Sequence, residues 1–323
     1  MSQPLLRVEN LTVDIGAEAG GARILDGIGF ELDAGQCIGI VGESGSGKSM
    51  TALSLLRLTP KAARFAAGRI DFEGRDILAM PPDALPQLRG RDIAMVFQEP
   101  MNSLNPVMRI GDQIAEAIML HEGLDRSARR ARVLDLLRLV GIPDPDSRIS
   151  AYPHEFSGGQ RQRVMIAMAL ACTPKLLIAD EPTTALDVTI QAQILDLLKQ
   201  LRRQRNMAII LVSHDLGVIA DIAERVLVMY CGRIVESCDI ATIFTRPAHP
   251  YTEGLLRSIP SSANDGKRLY QIPGTVPSPL ERPAGCAFHD RCPKRLPICR
   301  TEKPPMQRLS DTQSVACFAA TPA

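Results

Sequence analysis

The eight residues Gly42-Glu43-Ser44-Gly45-Ser46-Gly47-Lys48-Ser49, GESGSGKS, follow directly on a short apolar run, Gln36-Cys37-Ile38-Gly39-Ile40-Val41, that is bounded by Gly35. This order predicts a buried strand, a glycine loop and a helix beginning at about Lys48. Glycines let consecutive backbone N–H groups turn inward around phosphate oxygens, and the helix aims the positive end of its dipole at the same point. Gly42, Ser44, Gly45, Ser46 and Gly47 are therefore candidates to cradle phosphates. Lys48 would reach the β- and γ-phosphates, and the Ser49 hydroxyl would ligate Mg2+. Such a P-loop needs an acidic partner at the end of a second buried strand. Leu176-Leu177-Ile178-Ala179-Asp180-Glu181 supplies one, with Asp180 as candidate Mg2+ ligand and Glu181 as candidate general base for an attacking water. Together the two motifs imply binding of a Mg-nucleotide.

Composition bounds the rest. A chain of 323 residues with 45% hydrophobic content can bury the core of one large domain and carry an appendage. Lys+Arg 37 against Asp+Glu 36 leaves a net charge of +1, so no global field attracts a polyanion or a membrane surface. The N-terminus MSQPLLRVEN has no basic segment followed by a long apolar run, which predicts a chain without a signal peptide, in the cytosol. The longest apolar run, Val164 to Cys172, falls short of the roughly 20 residues that span a bilayer, so any membrane process would need other subunits to do the spanning. Cys37, Cys172, Cys231 and Cys238 sit singly in apolar surroundings and read as core residues.

Between the two buried strands lies Phe156-Ser157-Gly158-Gly159-Gln160-Arg161-Gln162-Arg163, followed by an apolar helix. Ser157 is a natural N-cap, and the helix after it offers free N–H groups to an anion although the P-loop already serves this chain's nucleotide. This stretch resembles the signature motif of the ABC ATPase family. The resemblance implies that Ser157, Gly158, Gly159 and Gln160 cap the γ-phosphate of ATP held by an opposing subunit. Val96-Phe97-Gln98-Glu99-Pro100 is similar to that family's Q-loop, which gives Gln98 a contact with Mg2+ and a coupling role toward a transmembrane partner. Ala185-Leu186-Asp187 resembles the D-loop, and Ile209-Ile210-Leu211-Val212-Ser213-His214-Asp215 resembles the strand that ends in the switch histidine, here His214. The family usually stacks an aromatic side chain on adenine near the end of the first strand, whereas Leu11-Thr12-Val13-Asp14-Ile15 offers only Ile15 there. An aliphatic side chain packs on a base without aromatic stacking, which predicts weaker base selectivity or a contact from elsewhere. A long loop from Gly16 to Gly21 follows.

The fold expected from this resemblance is α/β, a P-loop NTPase core of the ABC ATPase type over residues 1–245. Its helical subdomain would run from about 100 to 155, and a small irregular Cys-rich extension would occupy 246–323. Ile110, Ile114, Ala117 and Ile118 recur at helical spacing, and a second helix is predicted from about Ser127 to Val140, capped by Asp125 and ended by Gly141. Phe97 to Pro106 and Arg246-Pro247-Ala248-His249-Pro250-Tyr251-Thr252 closely resemble ATPases that energise binding-protein-dependent importers of dipeptides, oligopeptides and related solutes, including nickel. This implies an ATPase coupled to transport, peripheral on the cytoplasmic face of the inner membrane. Its partners would be a sister ATPase subunit, two transmembrane permease subunits and, indirectly, an extracytoplasmic solute-binding protein. The competing reading is an importer for nickel, glutathione or another small solute, or a soluble ABC protein acting on nucleic acid or the ribosome. The latter class usually carries two cassettes, a coiled coil or a basic insertion, whereas this chain has one P-loop, no sustained heptads and no charge block.

From Arg246 onward the chain holds 12 of its 24 prolines and eleven Lys/Arg against six Asp/Glu. Such a segment is expected to bury little apolar surface and to need a staple. Cys286, Cys292, Cys299 and Cys317 offer one, at gaps of 5, 6 and 17 residues. A cytosolic setting disfavours disulfides, Zn2+ sites generally use tighter pairs, and an iron–sulfur cluster tolerates wider gaps, so spacing alone leaves zinc and iron open. The resemblance favours iron, because some dipeptide-importer ATPases carry a [4Fe–4S] cluster in this extension. His289 reads as a surface residue, and Arg291, Lys294, Arg295 and Arg300 as cations that would offset a negatively charged cluster or simply as solvated charges. On this reading the stretch Gly285 to Cys299 lies outside the ATP chemistry.

Overall fold

The computed structural model describes residues 3–16, 21–98, 103–184, 186–259 and 270–320. Ala17 to Gly20, Glu99 to Asn102 of the Q-loop stretch and Ala185 of the D-loop lie outside the described residues. The chain divides into two compact units, one of residues 1–33, 37–78 and 211–323, the other of residues 34–36 and 79–210.

The first unit contains an antiparallel sheet of strands β1 (Leu6–Ile15), β2 (Ala22–Leu32), β4 (Ala63–Phe72) and β5 (Arg75–Asp76), in the order β2-β1-β4-β5. It also contains β3 (Cys37–Val41), whose five residues are all buried, as expected of an apolar run covered on both faces. β3 pairs parallel with β9 (Arg225–Tyr230), with Ile38 opposite Arg225 and Val41 opposite Val228. β10 (Arg233–Asp239) returns antiparallel beside β9. Helix α1 (Lys48–Leu55) begins at the last residue pair of GESGSGKS, where the sequence places it.

The tail joins this same unit more fully than its proline content suggests. It folds a helix at Pro250–Arg257 and two short strands, β11 (Gln307–Arg308) and β12 (Ser314–Val315), and β12 extends the sheet beside β10 with Val315 opposite Glu236. Tyr251 and Val315 are 0% exposed and Phe288 2%, so the tail does bury apolar surface. It buries it against β9, where Tyr230, Tyr251 and Phe288 meet at ring-centroid distances of 4.7 to 5.4 Å. Glu236, fully buried, accepts hydrogen bonds from the Ala248 and His249 amides at 2.8 and 2.9 Å and from Gln313 Nε2 at 2.9 Å. Linear pattern cannot reveal the longest of these anchors, because Gln313 and Val315 meet Glu236 across more than 70 residues.

The second unit carries β6 (Ile93–Val96) parallel to β7 (Leu176–Asp180), with β8 (Ala208–Ser213) beginning beside β7 and running on into the first unit. Its helices include α2 (Ile110–His121), α3 (Arg126–Leu139), α4 (Gly158–Ala169) and α5 (Val188–Arg205). Ile110, Ile114 and Ile118 are fully buried along one face of α2, as their spacing predicts. Asp125 Oδ1 accepts the Ala128 N–H at 2.8 Å as the cap of α3, and Gly141 follows the helix in the left-handed region at φ 72°.

Candidate functional site

The glycine loop is built by close backbone approach. A Cβ on Gly42 would stand 2.3 Å from the Met229 carbonyl oxygen, and Gly47 caps α1 with φ 102°, a conformation that side chains resist. Lys48 is buried and donates its ammonium protons to the carbonyl oxygens of Gly42 at 2.8 Å and Glu43 at 3.1 Å. The Ser46 hydroxyl is buried with no hydrogen-bond partner among the described residues, an orphan in a loop of the kind that holds anions. Ser44 and Gly45 are exposed at the tip, and Ser49 is the second residue of α1. His214 is exposed just past β8, and Asp215 caps the helix after it by accepting the Gly217 N–H at 2.7 Å. Ile15 ends β1, half-buried.

In the second unit the register of β6 on β7 sets Val96 opposite Ala179. Two residues further on, Gln98 Nε2 donates to Glu181 Oε2 at 3.1 Å, so two sequence-predicted site residues are brought together by strand pairing. Asp180, 5% exposed, ends β7, and Glu181 follows with φ 48°, left-handed and strained for a residue with a side chain. Thr184 Oγ1, which carries no motif signal, donates to the same Glu181 Oε2 at 2.8 Å, so that oxygen accepts from two side chains.

Ser157 caps α4 as its sequence predicts, in a reciprocal box: its Oγ accepts the Gln160 N–H at 3.3 Å while Gln160 Oε1 accepts the Ser157 N–H at 3.0 Å. The box engages the Gln160 amide and not those of Gly158 and Gly159, which stand in the first turn where the helix dipole favours an anion. Asp187 Oδ1 accepts the Ile190 N–H at 2.9 Å and caps α5. The two caps abut, because a Cβ on Gly159 would meet Ile190 Cγ2 at 2.6 Å.

The tail cysteines are all free thiols. The Cys286 N–H donates to the Cys299 carbonyl at 2.8 Å. Burial pushes the Cys286 thiol up to about 11, and the nearby Cys299, Cys292 and Cys317 push it the same way, so the four share one electrostatic neighbourhood. Among the described residues no three His, Cys, Asp or Glu side chains converge to hold a metal, which weighs against an iron–sulfur cluster on these thiols as much as against Zn2+. His289 is 8% exposed rather than on the surface, with Nδ1 2.8 Å from the Cys286 carbonyl oxygen. Two of the neighbouring cations have other partners than a cluster: Arg291 pairs with Glu43 and Lys294 with Glu253. The phenol of Tyr251 also reaches the glycine loop, accepting the Glu43 N–H at 2.7 Å. The motif pattern marks neither Arg291 nor Tyr251 as a P-loop neighbour. The one signal that could have found Tyr251 is its place in the RPAHPYT stretch.

Comparison with known proteins agrees with this geometry. Residues 25–184 match the family model described as ABC transporter, and residues 235–299 match the one described as oligopeptide/dipeptide transporter, C-terminal region. The chain is 49% identical over 313 residues to the dipeptide transport ATP-binding protein DppD of Escherichia coli K12, covering 97% of this chain and 96% of that protein. It is 51% identical over 303 residues to a putative peptide import ATP-binding protein of Brucella abortus, covering 94% and 91%. Among solved structures, a dimeric ATP-binding cassette in a post-hydrolysis state with ADP and Pi superposes with TM-score 0.65 at 26% identity, covering 73% of this chain and 98% of that one. With the fold of an ATP-binding cassette and a tail alike in sequence to that of its relatives, the chain belongs to the ABC transporter ATPases, in the oligopeptide/dipeptide transporter group.

Proposed function

We propose that this chain is the ATP-hydrolysing subunit of a binding-protein-dependent importer for dipeptides or oligopeptides. The observation that carries the reading is the end-to-end likeness to a dipeptide transport ATP-binding protein, tail included, at 49% identity over 97% of the chain. A nickel, glutathione or other small-solute importer would share the engine.

In this reading Gly42, Ser44, Gly45, Ser46, Gly47 and Ser49 of the loop and the Lys48 ammonium hold the ATP phosphates, and the Ser46 hydroxyl, without a partner among the described residues, gains an acceptor. Ser49, Asp180 and Gln98 are the residues that would hold Mg2+, directly or through water; when bound, the ion neutralises charge developing on the phosphate oxygens. Glu181 takes the proton of the attacking water, its carboxylate aimed by Gln98 and Thr184, and His214 contacts the γ-phosphate. Ser157, Gly158, Gly159 and Gln160 present the start of α4 to the nucleotide of the opposing subunit, and Asp187 links that face to α5. The expected Glu181→Gln phenotype is a transporter that traps ATP without turnover. Undiminished hydrolysis by a purified complex carrying that change would show that Glu181 is not the base.

No helix among the described residues is long and apolar enough to cross a membrane, so two permease subunits would do the spanning, with this chain peripheral on the inner face beside a sister ATPase. Phe97, Val107, Met119 and Leu120, 42 to 79% exposed, give the second unit apolar side chains for such a permease contact. For the tail, a [4Fe–4S] cluster on Cys286, Cys292, Cys299 and Cys317 rests on the family resemblance alone, since the four free thiols do not converge on one site in this structure. Iron and sulfide analysis of anaerobically purified protein is expected to find both, and stoichiometric zinc without iron would defeat the assignment.

A further inference from the structure

Glu43 is one of the residues that the glycine-loop motif leaves open to any side chain. In this structure each of its polar groups is engaged, and by a different part of the chain. Its N–H donates to Tyr251 Oη at 2.7 Å. Its carboxylate receives both terminal nitrogens of Arg291, at 2.6 and 3.0 Å, a bidentate pair. Its carbonyl accepts from Lys48 Nζ at 3.1 Å and from the Ser46 N–H at 3.2 Å. One residue therefore stands between the tail and the lysine that meets the phosphates.

The tail side of the contact is rigid. The Arg291 side chain is only 7% exposed; its Nε donates to the Pro273 carbonyl at 2.9 Å and one terminal nitrogen also to Tyr230 Oη at 3.3 Å. Its guanidinium carbon lies 5.8 Å from the ring centroids of both Tyr230 and Phe288. Tyr251 is fully buried, and its backbone N–H donates to His249 Nδ1 at 3.0 Å. A pair placed there only for surface solvation would not be fixed by four further contacts at the guanidinium.

We propose that Arg291 and Tyr251 are positioning residues for ATP binding: acting through Glu43, they hold the glycine loop and Lys48 in the shape that receives the phosphates. The Cys-rich tail is thereby an element of the nucleotide site in cis. Neither residue touches the nucleotide, so their loss should weaken binding and leave the chemical step nearly intact.

The experiment uses the complete transporter, with nucleotide affinity read by titration of a fluorescent Mg-ATP analogue and turnover read as kcat and KM for MgATP. Arg291→Ala is expected to raise Kd and KM about tenfold, the scale of a lost bidentate charged hydrogen bond, with kcat within about twofold of wild type. Glu43→Ala should do the same, Tyr251→Phe should shift both constants in the same direction, and Arg291→Ala combined with Glu43→Ala should go no further than the larger single change. Thr312→Ala, which removes a tail-to-core hydrogen bond to Asp239 and touches no loop residue, serves as the stability control and should leave Kd unchanged. The proposal is overturned if Arg291→Ala binds nucleotide as wild type, if the two single effects multiply, or if Thr312→Ala reproduces the shift. Should Arg291→Ala fail to assemble, Glu43→Gln keeps the side chain's size and removes its charge. It must then weaken binding with kcat retained, or the proposal fails.

Discussion

Replacement of Gly159 by alanine tests whether the abutment of the two helix caps matters to hydrolysis. The new Cβ would stand 2.6 Å from Ile190 Cγ2 and 3.6 Å from Ile190 Cγ1 and Cδ1. Carbon pairs rest at about 3.5–4.0 Å, so the start of α4 must withdraw by about 1 Å or Ile190 must yield. Overpacking of this size costs about 1–3 kcal/mol in stability. A displacement of about 1 Å in a group aimed at a transition state costs about a hundredfold in rate. ATPase measurements on the assembled complex should therefore show Gly159→Ala losing about two orders of magnitude in kcat. Ile190→Ala deletes the opposing atoms while keeping the Ile190 amide that Asp187 caps, and Ile190 is only half-buried, so this change alone should be mild. Combined with Gly159→Ala it should recover at least about tenfold of the lost rate, since the steric conflict is gone. A double variant as inactive as the single would refute the steric reasoning and assign the need for glycine to contact with the nucleotide itself.

Burial drives the His249 pKa down to about 3, with Phe288 beside the ring and Glu236 accepting the His249 amide. The unfolded chain binds a proton below the ordinary value of 6.5 while the folded chain stays neutral, so stability is complete above that pH and falls as pH drops toward 3. Thermal unfolding between pH 7.5 and 5 should register a loss of about 2 kcal/mol that His249→Asn, which retains a capping acceptor, abolishes; a wild type as flat as the variant would contradict this. Gln313→Ala removes two donations, to the buried Glu236 carboxylate and to the Arg246 carbonyl, both at 2.9 Å. The expected destabilisation is about 2–4 kcal/mol by denaturant titration, and a change within about 0.5 kcal/mol would mean that the tail is not anchored there.

The engine was legible because its signals are local. Ser157 and Asp125 announce helix starts within four residues of themselves, and the apolar runs before Gly42 and Glu181 read as buried strands without knowledge of their neighbours. What stayed hidden depends on pairing. Gln98 reaches Glu181 only because β6 lies in register on β7, a relation across 83 residues, and Arg291 reaches Glu43 across 248. Thr184 carries no motif at all, and its role exists only once Glu181 adopts a left-handed turn. The aliphatic Ile15 remains a departure that the fold does not compensate with an aromatic on β1.

By composition and spacing the four tail cysteines read as a staple for a segment with too little core. Three anchors in the fold change the question: β12 on β10, Gln313 on Glu236, and Arg291 on Glu43. Each joins the tail to an element that precedes it by many residues, and none requires a metal. A centre on Cys286, Cys292, Cys299 and Cys317 would therefore act mainly on the turns between residues 286 and 299, where the Cys286–Cys299 backbone bond closes the loop. Arg291 lies inside that loop, one residue before Cys292. Whatever orders the loop acts on the backbone that presents Arg291, and through Glu43 on Lys48, so the metal question and the nucleotide question meet at one ion pair.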